Sequence, residues 1–273
     1  MSYIPLIARV DSLPPLPESV IKIEGLFLDE SPDIDKLVKI IELDPSLTTD
    51  ILAKVNAPFY GFSKSIVSVL QAITLLGSNQ IRSIVLASSI QRSFDIDLSP
   101  YGITTTDFSK ISTMQSELIF QWYMGINVDI ARAVTPIAFL METGTILIAK
   151  DIIENDKKDE FLTDLSNYED IYYVENMYTM MTSAQINALI FKHLNLNDSF
   201  HECMKYLDNE QDIPERMKDM VKALQIVRTA VNIKEQLSED SISQAVELLE
   251  KSQYDVNNFL RAVKRIKNKY DID

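Results

Sequence analysis

Ile137-Ala138-Phe139-Leu140-Met141-Glu142-Thr143-Gly144-Thr145-Ile146-Leu147-Ile148-Ala149 is an apolar run with one carboxylate, Glu142, one glycine, and Pro136 at its head. A bilayer-spanning helix needs about 20 consecutive apolar residues. This run is shorter and interrupted, so it reads as a buried helix or helix pair in the core of a soluble domain.

The rest of the chain extends that reading. Its 273 residues allow one large or two modest domains, and an apolar share of 46% is that of an ordinary globular protein. Six glycines are too few for the tight turns of an all-β protein, so helical periodicity dominates and the predicted class is all-α. No apolar run reaches spanning length, no N-terminal stretch has signal-peptide order, and the single Cys203 suits a reducing compartment; the expected location is cytoplasmic. A net charge of −14 repels phosphate backbones and anionic membranes. The basic set Arg261, Lys264, Arg265, Lys267 and Lys269 reads as a helix end complementing its dipole. Residues 151–175 carry nine acids (Asp151, Glu154, Asp156, Asp159, Glu160, Asp164, Glu169, Asp170, Glu175) against Lys157 and Lys158, and read as a solvated region, partly loop.

Punctuation residues divide the N-terminal part into five short helices. Leu13-Pro14-Pro15-Leu16-Pro17 is a rigid entry, with Pro17 fitting the first turn of a helix carrying Val20, Ile21, Ile23, Leu26 and Phe27. Ser31-Pro32 is expected to open a second helix, with Ile34, Leu37, Val38 and Ile41 on its buried face. Asp44-Pro45 caps and starts a third, with Leu47, Ile51, Leu52 and Val55 inward, and Pro58 stops it. Ile66, Val69, Leu70 and Ile73 mark a fourth, ending on the contact and stop Leu76-Gly77; Ser78 is expected to cap a fifth. After a loop at 100–106, helices are predicted from Phe108 through Trp122, over 130–153, 181–194 and 198–208, then beyond Asp212-Ile213-Pro214 along Met217, Met220, Val221, Leu224, Val227 and Val231, and around 242–249 and 256–266.

Four segments together resemble a known family. They are Leu13-Pro14-Pro15-Leu16-Pro17, then Ile41-Glu42-Leu43-Asp44-Pro45-Ser46-Leu47-Thr48, then Val55-Asn56-Ala57-Pro58-Phe59-Tyr60-Gly61, then Ala72-Ile73-Thr74-Leu75-Leu76-Gly77. In order and spacing they resemble the HDOD family, the HD-related output domain of bacterial signalling proteins. Ala57 stands where that family usually has serine. The resemblance implies a multi-helical bundle of the HD phosphohydrolase type: an HDOD domain over 13–210, with an N-terminal helical subdomain over 13–100 and a degenerate HD-like core over 108–210, then a C-terminal helical region over 211–273. Leu16, Pro17, Asp44, Pro45, Leu47, Asn56, Leu76, Gly77 and Gly144 are its structural motif positions. Asn56 is placed to bond helix-end carbonyls.

A catalytic HD site needs an early His, a His-Asp pair, further His residues and a final Asp to hold divalent metal that acidifies a water. The chain has two histidines in all, His193 and His201. By the resemblance, Gln115 falls at the early His, Met141-Glu142 at the His-Asp pair and Ser183 at a later His, while Gly144 keeps the glycine of the enzymes' segment. A thioether is a poor ligand for a hard divalent ion, and one carboxylate without neighbours does not hold Mg²⁺ or Mn²⁺. No catalytic residue, metal or cofactor is therefore expected. His193 and His201 fall on different helices and His201 and Cys203 point apart, so neither forms a nucleophile pair or zinc site.

Two features compete with that picture. Residues 69–84 resemble a helix-turn-helix with Ser78, Asn79, Gln80 and Arg82 as donors, but Lys64, Arg82 and Arg92 are the only charges between Phe62 and Phe94, which argues against nucleic acid. Met177, Met180 and Met181 with Tyr168, Tyr172, Tyr173 and Tyr178 read as core filling around the helix at 181–194, with an adaptable sticky surface as the alternative. The leading expectation is a non-enzymatic regulatory module that binds other signalling proteins. The family's association with two-component, cyclic-dinucleotide and motility pathways implies as much, and with no receiver, GGDEF or EAL-type segment in the sequence, input is expected from a separate chain. The alternative is a nucleotide- or small-ligand-responsive protein, or a residual phosphohydrolase, using the pocket near Gln115, Glu142 and Ser183.

Overall fold

Helix-terminating residues recur every ten to twenty positions, and the computed structural model is accordingly built from helices, with one isolated antiparallel bridge, Val231 to Gln236, among the described residues. It describes the chain apart from residues 1–2, 29–31, 58–59, 95, 210–211 and 273 and the side chains of 3–5. Two compact units are formed, Pro14–Asp95 and Met1–Leu13 with Ile96–Asp273.

The Pro14–Asp95 unit holds five helices: α2 (Glu18–Leu26), α3 (Ile34–Glu42), α4 (Pro45–Val55), α5 (Val69–Leu76) and α6 (Ser78–Gln91). Asp44 caps α4 through Oδ1, which accepts from Leu47 N at 3.0 Å, while Oδ2 accepts from Ser19 Oγ at 2.7 Å. Asn56 ties the α4–α5 connection: Nδ2 donates to Leu52 O and Ile66 O, and Oδ1 accepts from Ile66 N, each at 2.8 Å. Leu47 is buried, with Ile51 and Val55 below it. Gly77 has φ 82 and ψ 156, a mirror-extended conformation open to glycine, rather than the left-handed helical terminus expected. It also serves as the N-cap of α6, so Ser78 is the first helical residue and caps nothing. Pro17 likewise precedes α2 as its N-cap. The start of α3 is capped by Asp33, whose side chain accepts from Lys36 N, so Pro32 lies before the helix; Ser31 and Pro58 lie outside the described residues. Ile21 and Leu70 face solvent, because each stands a step off its helix's buried stripe. In the helix-turn-helix look-alike, α6 is buried from Ser83 to Ile90, Gln80 is buried, and Arg82 bonds Glu24 through Nε at 2.8 Å and Nη2 at 2.6 Å.

The larger unit begins with a helix that the short lead did not suggest, α1 (Tyr3–Asp11), which buries Leu6 and Val10 one turn apart. There follow α7 (Thr105–Tyr123), α8 (Val128–Leu140), α9 (Gly144–Glu154), α10 (Lys158–Asn167), α11 (Ile171–Thr179), α12 (Ser183–His193), α13 (Asp198–Tyr206), α14 (Lys218–Ala230), α15 (Glu239–Lys251) and α16 (Val256–Tyr270). The stretch expected to be a loop at 100–106 already contains the start of α7, because Thr104 and Asp107 form a capping box. The acidic stretch is two helices, α10 and α11: Asp170 caps α11, and Phe161, Leu165, Ile171 and Val174 bury enough surface to hold both in place. The central apolar run is the end of α8, a turn at 141–143, and α9. Pro136 lies inside α8.

Candidate functional site

Six segments of the larger unit bring polar side chains into one buried cluster. Gln115 comes from α7, Glu142 from the α8–α9 turn, Glu175 from α11, Ser183 from the first turn of α12, Asp208 from just past α13, and Arg228 from α14. Gln115, Glu142, Glu175 and Ser183 are fully buried and Arg228 nearly so, so each must find a partner inside.

The turn that carries Glu142 is held by specific bonds. Asn187 Nδ2 donates to Met141 O at 2.6 Å and to Leu140 O at 3.2 Å, the latter also accepting from Thr143 N at 3.0 Å, so the side chain ties down the turn at the end of α8. Gly144 opens α9 directly against the backbone of Ser183: a Cβ there would lie 2.1 Å from Ser183 O. Only glycine lets the start of α9 approach the start of α12 closely enough to seat Glu142 and Ser183 in one cluster. Met141 is fully buried beside this turn.

Arg228 is the centre of the cluster. Its Nη1 donates to Asp208 Oδ1 at 2.6 Å and its Nη2 to Ser183 Oγ at 3.1 Å. Its Nε stands 3.5 Å from Glu142 Oε1, and its Cζ lies 3.4 Å from the centre of the Tyr172 ring. Gln115 Nε2 donates to the same Glu142 oxygen at 3.0 Å and to Val231 O at 2.9 Å. On the other side, Glu175 Oε2 accepts from Ser183 N at 2.6 Å and Oε1 from Tyr101 OH at 2.9 Å. Thr182 Oγ1 donates to Asp208, whose side chain forms the cluster's partly exposed edge.

Charge within the cluster is sorted by burial and by the guanidinium. Burial opposes the charge on Arg228, but Tyr172, Asp208, Glu142 and Glu175 outweigh it, so its pKa is raised and the cation is permanent. Burial pushes the Glu175 carboxyl up to about 8, against the lowering pull of Ser183 N–H, Arg228 and Tyr101; it is mostly protonated at neutral pH. Burial likewise holds the phenols of Tyr101 and Tyr172 well above their ordinary range.

The donor set does not fit a divalent metal. The Gln115 amide, the Glu142 and Asp208 carboxylates and the Ser183 hydroxyl already surround a cation, Glu175 is mostly protonated, and a second positive charge beside Arg228 would meet repulsion at low dielectric. Among the described residues no group of three His, Cys, Asp or Glu side chains is arranged to hold one. His193 Nε2 lies 2.9 Å from Leu13 O and His201 Nδ1 2.8 Å from Ala188 O, so both imidazoles are engaged with backbone. Burial pushes the Cys203 thiol up to about 12, which leaves it unreactive.

Of the residues singled out in the sequence, Gln115, Glu142 and Ser183 converge here, and Met141 contributes its carbonyl. Arg228, Glu175, Asp208 and Tyr172 were missed as members. A signal did exist: Arg228 falls on the buried stripe Val221, Leu224, Val231 of α14, and Glu175 on the stripe Ile171, Val174, Tyr178 of α11. A charge on an apolar face marks a partner within.

Residues 13–210 match the HDOD domain family. The chain belongs to the HDOD family. Among solved structures, this HDOD protein is similar to a virulence factor from Campylobacter jejuni subsp. jejuni, at 28% identity over 99% of this chain and 98% of that one, with a TM-score of 0.60. It also shares its fold with an HDOD domain protein from Geobacter sulfurreducens (15% identity, 98% and 97% covered, TM-score 0.66). A third, provisionally named a phosphohydrolase, from Shewanella amazonensis SB2B, is alike in fold too (16%, 97% and 94%, TM-score 0.65). No curated protein matches the chain. The family segment ends at residue 210, yet these likenesses run through α14, α15 and α16, so the helix that supplies Arg228 is part of the shared fold.

Proposed function

We propose that this HDOD protein is a non-catalytic regulatory module of a bacterial signalling pathway, acting in the cytoplasm through contacts with other proteins. The observation that carries this reading is Arg228: a guanidinium tethered to Asp208 stands among Gln115, Glu142 and Ser183, at positions the family resemblance gives to metal ligands. A cluster that supplies its own cation is closed to a metal-bound nucleophile, and its remaining use is to lock six segments of the bundle together. Membership of the HDOD family supports a regulatory role. No helix among the described residues is long and apolar enough to cross a membrane.

The test is metal analysis of the purified protein together with hydrolysis of bis-p-nitrophenyl phosphate and a cyclic dinucleotide in Mn²⁺ and Mg²⁺. The expected outcome is substoichiometric metal and no turnover above buffer. Stoichiometric bound metal, or turnover that Glu142→Ala abolishes, would overturn the reading.

A further inference from the structure

Helix α11 has two faces of opposite character. Its inner face carries Glu175 and Tyr172, both in contact with the buried cluster. Its outer face carries Tyr173, Met177 and Met180, which are 52%, 47% and 61% exposed. Spaced i, i+4, i+7, these three form a single stripe. Tyr168, 42% exposed, extends it past the start of the helix, its ring centre 5.4 Å from that of Tyr173. Met180 ends the helix at φ 61, a left-handed conformation that glycine or asparagine adopts more cheaply. A polar residue would serve better at each of these positions if the face met only water. Exposed methionines and tyrosines instead supply flexible, polarisable contact area and rigid amphipathic rings, the side chains of binding surfaces.

The surroundings specify the kind of partner. From Asp159 to Phe191 the sequence contains no lysine or arginine, while Glu169 and Asp170 lead directly into α11 and are exposed. Helix α10, packed on α11, presents Asp159 and Glu160 to solvent. Three lysines lie at this end, Lys157 paired with Glu160, Lys158 exposed beside Asp159, and Lys234 bonded to Tyr168 O, so the four carboxylates Asp159, Glu160, Glu169 and Asp170 remain in excess. An apolar stripe edged by carboxylates rejects phosphate-bearing surfaces and complements an apolar stripe edged by Lys and Arg. This chain's own basic amphipathic helix, α16, cannot be that ligand in a second copy, because its apolar residues Phe259, Val263 and Ile266 are already buried in the core.

We propose that the outer face of α11 docks a basic amphipathic helix of another protein, with Tyr173, Met177 and Met180 as the apolar anchors. This rests on the non-catalytic, protein-binding reading above and names the chemistry of the partner.

The experiment is fluorescence anisotropy of a labelled 18-residue Leu/Lys amphipathic helix titrated with the full chain at physiological salt, beside a Leu/Glu helix of the same apolar pattern. The Leu/Lys helix is expected to bind at least tenfold more tightly. The Tyr173→Ser/Met177→Ser/Met180→Ser variant, which keeps every charge, is expected to weaken it at least tenfold, whereas Leu70→Ser/Leu75→Ser in the other unit leaves it unchanged. Met180→Gly guards against a folding artefact, since it is expected to raise Tm while still weakening binding. Equal binding of the two helices, or an undiminished affinity of the triple serine variant, refutes the proposal. So does a dimer in sedimentation that the triple variant dissolves, since it assigns the face to a second copy. Phosphodiester turnover by the unaltered protein would instead sink the non-catalytic reading, whatever the peptide does.

Discussion

Replacing Arg228 by methionine tests the buried cluster most directly. Methionine refills much of the volume but removes the cation, leaving Glu142 fully buried and bonded by Gln115 Nε2. Breaking a buried ion pair on one side costs roughly 3–5 kcal/mol, because the stranded charge has lost both water and partner. Asp208 softens the loss, since its side chain is 22% exposed and can rehydrate. Loss of the guanidinium over Tyr172 adds to it, a desolvated contact of this type being worth about 2 kcal/mol. The expected net change is about 4 kcal/mol, a fall in Tm on the order of 10 °C for a chain of this size. The second half of the prediction is a rescue: Arg228→Met/Glu142→Gln removes both charges and should recover about 3 kcal/mol, leaving a loss of about 1 kcal/mol; the coupling in a double-mutant cycle is then that roughly 3 kcal/mol plus whatever Glu142→Gln costs alone. Urea unfolding of the four proteins measures it. A single-variant loss below about 1 kcal/mol, or a double variant no better than Arg228→Met, would show that the guanidinium does not hold this centre together.

Three further outcomes follow from individual contacts. Glu175 has an ordinary value of 4.5 and a folded value of about 8, so the native state holds a proton that the unfolded chain releases between those limits; the contribution of Glu175 to stability is complete below pH 4.5 and declines toward pH 8, by about 5 kcal/mol at most. Glu175→Gln, whose amide can still accept from Ser183 N–H and donate to Tyr101, should flatten that slope relative to the unaltered protein in urea titrations at pH 5 and 8; parallel curves would contradict it. Gly144→Ala places a Cβ 2.1 Å from Ser183 O, backbone against backbone, and should cost at least about 3 kcal/mol, read as loss of soluble protein or of its thermal transition. Asp44→Ala removes the α4 cap and its bond to Ser19 at a cost of about 1–2 kcal/mol, and hydrogen exchange should report it within Pro14–Asp95, whereas Arg228→Met acts in the other unit.

Local chemistry was legible without coordinates. Asp44 before Pro45, Gly77 between two apolar stripes and Asn56 after Val55 each act within a few residues, so the sequence alone predicts helices with their turns, and the resemblance of the same segments pointed to the HDOD family. Where the reading slipped by a residue, at Ser78 and Pro17, the competing cap positions were adjacent and differ little in energy. Arg228 was not legible in that way, because its partners Glu142, Ser183 and Asp208 lie 86, 45 and 20 positions away in the sequence. A charged residue on a helix gives the same local signal whether it meets water or a carboxylate, and only packing distinguishes the two. The same holds for α11, where tyrosines and methionines alternate so closely that the sequence reads as core filling with a sticky surface as the alternative, and tertiary packing divided them, burying Tyr178 and Met181 while leaving Tyr173, Met177 and Met180 outside. Hydrogen bonds between neighbours were determined by residue order; the meeting of distant charges, and the choice of which apolar side chains stay wet, were decided by the fold.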